Sequence, residues 1–252
     1  MKKRIFTTIL FSLMAISLFG QNKKNPRKVN TKTQKSKTAI SMISTKDFSK
    51  LPDRKRLQTI CKSVSVLDAI LSQEWEYRYY SYDRKWADHE EVFEMRNGSG
   101  DQMLILFRDE GCAINGFARE YKQQDKQKLT RDLPPIFHEF MFGEPVQSIG
   151  TTFCLWSTEA GNWKVGEIGS FDDNSGEMLN IFDGNPQTYV NWATEYFEES
   201  YKESGIPLKT VTEIYNGQIL TKQMVLSMVE DIEDWKKLEA DLDEIGYPYH
   251  FN

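Results

Sequence analysis

The side chains of this 252-residue chain that could carry chemistry are three histidines, three cysteines and several close-set acidic residues. His138-Glu139 opens the pattern in which two histidines one helical turn apart bind zinc, but the second position is Phe142. His89 and His250 lie far from it in sequence, so no metal pattern emerges. Asp172-Asp173-Asn174-Ser175-Gly176-Glu177 looks like the start of a calcium loop. Counted from Asp172, however, glycine falls at the fifth place rather than the sixth, and Asp183 stands where a glutamate is needed. An ordinary polar turn is the expectation there. Cys61, Cys112 and Cys154 form no C-x-x-C pair, and each sits in an apolar run. Buried free thiols are therefore expected, ahead of a disulfide or a Cys–His nucleophile built with His138. Ser99 lies between Gly98 and Gly100, yet on a hairpin turn and not on a strand-to-helix elbow. Those glycines lead into no helix, so phosphate and dinucleotide loops are missing and no cofactor is expected. One catalytic option stays open: a small envelope hydrolase using carboxylates such as Asp101 and Asp109, which needs two carboxyl groups at a fixed separation.

The stronger candidate is a binding surface. Trp75 to Trp86 places two Trp and four Tyr in twelve positions. A strand over Trp75–Tyr80 predicts that Trp75, Tyr77 and Tyr79 share the core face. It leaves Tyr80, Tyr82 and Trp86 as the exposed rings of a platform for a sugar, a peptide or a partner protein, because Tyr and Trp combine large contact area with a polar handle. Arg96, Asn97 and Asp101, at the ends of the next hairpin, complete the candidate surface.

These residues must be positioned by the elements around them. Asp53 is placed to cap a helix whose apolar stripe runs Leu57, Ile60, Cys61, Val64, Leu67, Ile70 and Leu71. Three strands follow, Glu91–Arg96, Gln102–Arg108 and Cys112–Ala118, joined by glycine-bearing turns into a β-meander. The middle strand is apolar on both faces and so belongs at the centre of a covered sheet. Glu120–Asp132 reads as a loop, and Pro134-Pro135 opens a short helix ended by Gly143. Strands are expected over Thr151–Trp156 and Asn162–Ile168, then an acidic turn at Phe171–Gly176. A helix capped by Asn185 buries Tyr189, Trp192, Ala193, Tyr196 and Phe197 and runs towards Gly205. Helical pieces from Thr221 and from Glu233 to Ile245 finish an α+β fold with a mostly antiparallel sheet.

Charge divides the chain. Residues 1–60 carry 15 Lys and Arg against 2 Asp and Glu, which leaves 17 basic and 35 acidic residues, a net −18, for the rest. Lys2, Lys3 and Arg4 ahead of the apolar run Ile5–Phe19 have the form of a signal peptide ending at Gly20. This predicts an exported protein, periplasmic or extracellular, that touches membrane only through that segment if it stays uncleaved. Residues 21–51 are rich in Lys, Thr, Ser and Asn, a composition expected of a disordered basic tether before a single domain over 52–252. The acidic domain disfavours nucleic acid and favours a basic protein partner, which it would steer electrostatically. An immunity-type protein that neutralises a basic toxin is one form such a binder takes.

Two blocks carry a resemblance. EWEYRYYSY…W…MRNGSGD…ILF…G…GFA covers Glu74 to Ala118. TTFCLW…W…G (Thr151 to Gly166) leads to DGNPQTYVNWATEYFE (Asp183 to Glu198) and a terminal DEIGYP (Asp243 to Pro248). Together they resemble a family of bacterial hypothetical proteins with no assigned activity. The resemblance spans most of residues 57–248 and implies a single family domain, without supplying a catalytic residue.

Overall fold

The computed structural model describes residues 42–158, 162–198 and 200–251. The expected signal peptide and residues 21–41 of the expected tether lie outside the described residues. The fold begins earlier than Pro52, however. Ile43, Thr45 and Leu51 are buried, and Thr45 Oγ1 donates to Asp173 Oδ2 at 2.6 Å. The last ten residues of the expected tether therefore pack on the domain, because two apolar side chains and one satisfied hydroxyl offset the cost of ordering them.

Helix α1 spans Arg54–Leu71, and the Asp53 side chain accepts from Arg56 N at 3.0 Å, as a helix N-cap does. Its whole apolar stripe is buried. Strands β1 (Tyr80–Ala87), β2 (Glu90–Arg96), β3 (Gln102–Arg108) and β4 (Gly111–Phe117) follow. The short helices α2 (Lys126–Leu129), α3 (His138–Phe142) and α4 (Val146–Ile149) lead to β5 (Phe153–Thr158) and β6 (Trp163–Lys164). Then come α5 (Ser175–Met178), α6 (Pro186–Tyr196), α7 (Leu208–Tyr215), β7 (Leu220–Thr221), α8 (Lys222–Met228), α9 (Trp235–Ile245) and β8 (Tyr249–His250).

Among the described residues, β1 to β6 form one antiparallel sheet in chain order, so the meander is its centre, and β7 pairs in parallel with β8. The fold is α+β, as expected. On one sheet face Tyr80, Tyr82, Phe93, Met95, Met103, Ile105 and Phe107 pack in the large core that includes α1, α6, α7, α8 and α9. On the other, Val92, Leu104, Leu106, Cys154 and Trp156 pack against Leu133, Phe137, Phe140, Met141 and Val146. Gly116 sits where a Cβ would overlap the Phe153 ring of the neighbouring strand, so the close β4–β5 pairing needs glycine there. Among the described residues no helix is long and apolar enough to cross a membrane.

Several expectations change. Trp75–Tyr77 is a single 3₁₀ turn and not a strand, and β1 starts only at Tyr80. The cause is Asp68, whose carboxylate accepts the amides of Tyr79 and Tyr80 and so fixes where the extended chain begins. Asn162–Ile168 supplies only two strand residues. α6 ends at Tyr196, well before Gly205, where the Phe197 backbone leaves the helical region. α7 was not expected, although Val211, Ile214 and Tyr215 form a helical stripe between Pro207 and Gly217. All three cysteines are free and buried.

Candidate functional site

α1 ends at Leu71, and the chain must turn back before entering β1 beside it. Two buried ionisable side chains build that corner. Asp68, on the last turn of α1, is wholly inaccessible. Its Oδ2 accepts from Tyr79 N at 3.0 Å and Tyr80 N at 2.8 Å, and its Oδ1 accepts from the Tyr189 hydroxyl of α6 at 2.7 Å. Arg78 is also buried. Its Nε donates to Ser72 O at 2.8 Å and its Nη2 to Gln73 O at 3.1 Å, and Nη2 pairs with Asp241 Oδ2 of α9 at 2.6 Å. The guanidinium thus satisfies carbonyls left open past the end of α1. Burial pushes the Asp68 carboxyl up to about 7, against the opposing pull of the two amides, the Tyr189 hydroxyl and Arg78.

This base carries an exposed ridge. Between Ser72 and Arg78 the chain has nowhere to bury its large rings, so Trp75 stands 44% exposed and Tyr77 64% exposed. Tyr196, at the end of α6, is 41% exposed, and its hydroxyl reaches Tyr77 O at 3.5 Å. Arg96 lies over the Trp75 ring at 3.6 Å from its centroid, and its Nη2 is 3.4 Å from Trp75 O. A ladder of ring contacts runs inward from this surface. Tyr196 stacks on Trp192 at 5.1 Å, Trp192 meets Tyr80 at 4.9 Å, and Tyr80 stacks on the fully buried Phe93 at 5.7 Å. Offset and edge contacts at these separations are favourable, and they tie the exposed Tyr196 to the sheet.

Two clefts flank the ridge. One, of about 340 Å³, is lined by Glu76, Arg96, Asp101, Gln102 and Tyr196 among others. The other, of about 380 Å³, lies on the far side of Tyr77, between the end of α1 and residues 229–233.

The six residues singled out from sequence separate accordingly. Arg96 and Asp101 line the first cleft. Asn97 builds the hairpin beside it: its Oδ1 accepts from Ser99 N and Asp101 N, and its Nδ2 donates to Asp101 Oδ2 at 2.8 Å. Tyr80 and Tyr82, expected at the surface, are 4% and 2% exposed. The late start of β1 turns both inward, and the Tyr82 hydroxyl is held between Gln58 Nε2 at 2.9 Å and Glu91 Oε2 at 2.7 Å. Trp86 is half-buried against the second core, because a register shift between Asp83 and Ala87 turns that end of β1 to the other sheet face. The rings that do reach solvent are Trp75 and Tyr77, which alternation had assigned to the core. Sequence reasoning also passed over Asp68 and Arg78. The signal for Asp68 was present, since an acidic residue among Val64, Leu67, Ile70 and Leu71 interrupts the buried stripe.

The catalytic options fare differently. Asp101 and Asp109 stand at opposite ends of β3. At about 3.3 Å per residue, eight residues put them roughly 26 Å apart, against roughly 5–9.5 Å for a glycosidase pair. Asp101 Oδ1 also accepts from Arg119 N at 2.8 Å, so both its oxygens brace the turn. Burial pushes the Cys112 and Cys154 thiols up to about 12, the opposite of an activated nucleophile. The Asp172–Glu177 turn is a staple: Asp173 Oδ1 accepts from Ser175 N at 3.0 Å and from Ser175 Oγ at 2.5 Å. Among the described residues no group of three or more His, Cys, Asp or Glu is placed to hold a metal ion.

No protein-family model, no curated protein and no solved structure matches the chain.

Proposed function

We propose that this chain is an exported binding protein and that the Trp75–Tyr77 ridge, with Tyr196 and Arg96, is its docking surface for a basic protein partner. One observation carries the reading: three large aromatic side chains are held in solvent on a base made rigid by the hydrogen bonds of buried Asp68 and Arg78 and by a ring ladder. Exposed Trp, Tyr and Arg are the residues that anchor protein interfaces, and holding them in place lowers the ordering cost of binding. The net −18 of residues 61–252 supports a basic partner, which such a field draws in. Export rests on the basic and apolar pattern of residues 1–20. An immunity-type role fits the same features, because such proteins meet basic partners through acidic faces. A hydrolase is the weaker reading, given the separation of Asp101 and Asp109 along β3.

The double variant Trp75→Ala/Tyr77→Ala tests the surface. Both rings are exposed, so the fold should survive with unchanged circular dichroism and thermal midpoint. Immobilised full-length wild type is expected to retain a basic protein from lysate of the organism that makes it. The variant is expected to hold that protein at least about 30-fold more weakly, as loss of about 2 kcal/mol at one hot spot implies. Equal retention by both proteins would remove the ridge from the interface.

A further inference from the structure

The second cleft carries more than a place on the surface. Its floor is apolar: Ile70 and Leu71 from the end of α1, and Val229 and Ile232 from the segment after α8. Tyr77 and Tyr201 wall it, and Glu230, Asp231 and Glu233 line its rim. Among the described residues no basic side chain lines it. Arg78 already bonds the Ser72 and Gln73 carbonyls, Lys237 Nζ lies on Glu74 at 2.9 Å and Lys202 Nζ lies 3.9 Å from Glu230, so a guest's charge would fall to Asp231 and Glu233. The cleft is also held open by direct bonds. The Gln73 side-chain amide clasps the Asp234 backbone, Nε2 donating to Asp234 O at 2.8 Å and Oε1 accepting from Asp234 N at 3.0 Å. Lys202 N, next in sequence to Tyr201, donates to the carbonyl of Met228, next to Val229, at 2.8 Å. The negative pole of α1 lies at this end, and the last turn of α1 holds no basic residue.

An apolar floor, aromatic walls and a carboxylate rim match one kind of guest. A long cationic side chain can lay its methylenes on the floor, set its charge against a ring face and end among the carboxylates. A hard metal ion would need converging oxygens instead, and an apolar floor supplies none. Resting on the docking reading above, we infer that this cleft is a subsite for a lysine or arginine side chain of the basic partner. The ridge then supplies contact area, and the cleft beside it reads the partner's charge.

Two probes test this on the full chain at about 0.15 M salt, where long-range attraction is screened: N-acetyl-arginine amide and its neutral citrulline counterpart, followed by two-dimensional NMR. The arginine probe should give saturable shifts confined to residues 70–77, 200–201 and 229–233. The citrulline probe should bind at least about tenfold more weakly. The Asp231→Asn/Glu233→Gln variant should lose the difference between the two, with both side chains exposed and the fold unaffected. Shifts scattered over the acidic surface without saturation, or equal binding of both probes, would overturn the subsite. The outcome is separable from that of the docking reading. A partner lost with Trp75→Ala/Tyr77→Ala while arginine leaves the cleft untouched sinks the subsite alone. Arginine in the cleft with no ridge-dependent partner sinks the docking reading alone.

Discussion

Asp68→Ala is expected to cost about 3–5 kcal/mol of folding stability, enough to unfold much of a domain of ordinary stability. The substitution strands the amides of Tyr79 and Tyr80 and the Tyr189 hydroxyl in a site without water access, and it leaves a void at the junction of α1, β1 and α6. Asp68→Asn behaves otherwise. Its carbonyl can accept both backbone amides, and its NH₂ can donate to a Tyr189 hydroxyl that has turned to accept, much as a protonated Asp68 would. The pH dependence separates the two states. Burial raises this carboxyl from 3.8 to about 7, so the folded protein holds the proton more tightly than the unfolded chain does. The stabilisation that follows is complete below about pH 4 and is lost as the pH rises through about 7. A shift of about three units corresponds to roughly 4 kcal/mol across that window. Denaturant unfolding should therefore show wild-type stability falling from about pH 4 to about pH 8 relative to Asp68→Asn, with the variant the more stable at the alkaline end. Parallel profiles would mean that Asp68 stays ionised, its three donors having overcome burial.

The second large effect is expected at Arg78. Arg78→Met keeps an apolar stem of similar length but leaves Ser72 O, Gln73 O and the Asp241 carboxylate without their donor. Breaking a pair with one partner buried costs about 3–5 kcal/mol, and the partial exposure of Asp241 moves the expectation to the lower end, about 3 kcal/mol. Arg78→Lys should recover little of this, because three acceptors around one side chain need the planar fork of a guanidinium. The loss should also be local. Amides from Glu74 to Tyr80 should exchange faster in Arg78→Met, while those of β3 and β4 lose protection only as far as global stability falls. Full rescue by lysine would show that charge alone matters and that the fork geometry does not. Removing Arg78 also takes away a charge that holds the Asp68 carboxyl down, so the Asp68 transition should move further up.

The sheet was legible in the sequence because its information is local. Gly98, Gly100 and Gly111 mark the hairpin turns, and the two-faced run Met103–Phe107 marks the central strand. The starts of α1, α6 and α8 were legible for the same reason, since Asp53, Asn185 and Thr221 each accept from an amide of their own helix. The phase of β1 was not legible. It depends on a carboxylate eleven and twelve residues upstream that takes the Tyr79 and Tyr80 amides, and this contact shifts the whole aromatic run by turning Trp75–Tyr77 into a 3₁₀ turn. Moving the strand start exchanged the fates of two pairs of rings: Tyr80 and Tyr82 went to the core, Trp75 and Tyr77 to solvent. The expected facing of these four rings is therefore reversed. The parallel β7–β8 pair joins residues far apart in the chain, and nothing local marks it.

The most direct measurement is site-specific photocrosslinking. A photoreactive phenylalanine analogue is placed at position 77 of the full chain, with a control at Ile219, which is also exposed and lines neither cleft beside the ridge. Position 77 should give a discrete crosslinked species with a basic protein, formed in lysate of the source organism and lost in the presence of excess unlabelled wild type, and position 219 should give none. Equal crosslinking from both positions, or none from position 77 under conditions where the wild type retains a partner, would contradict it.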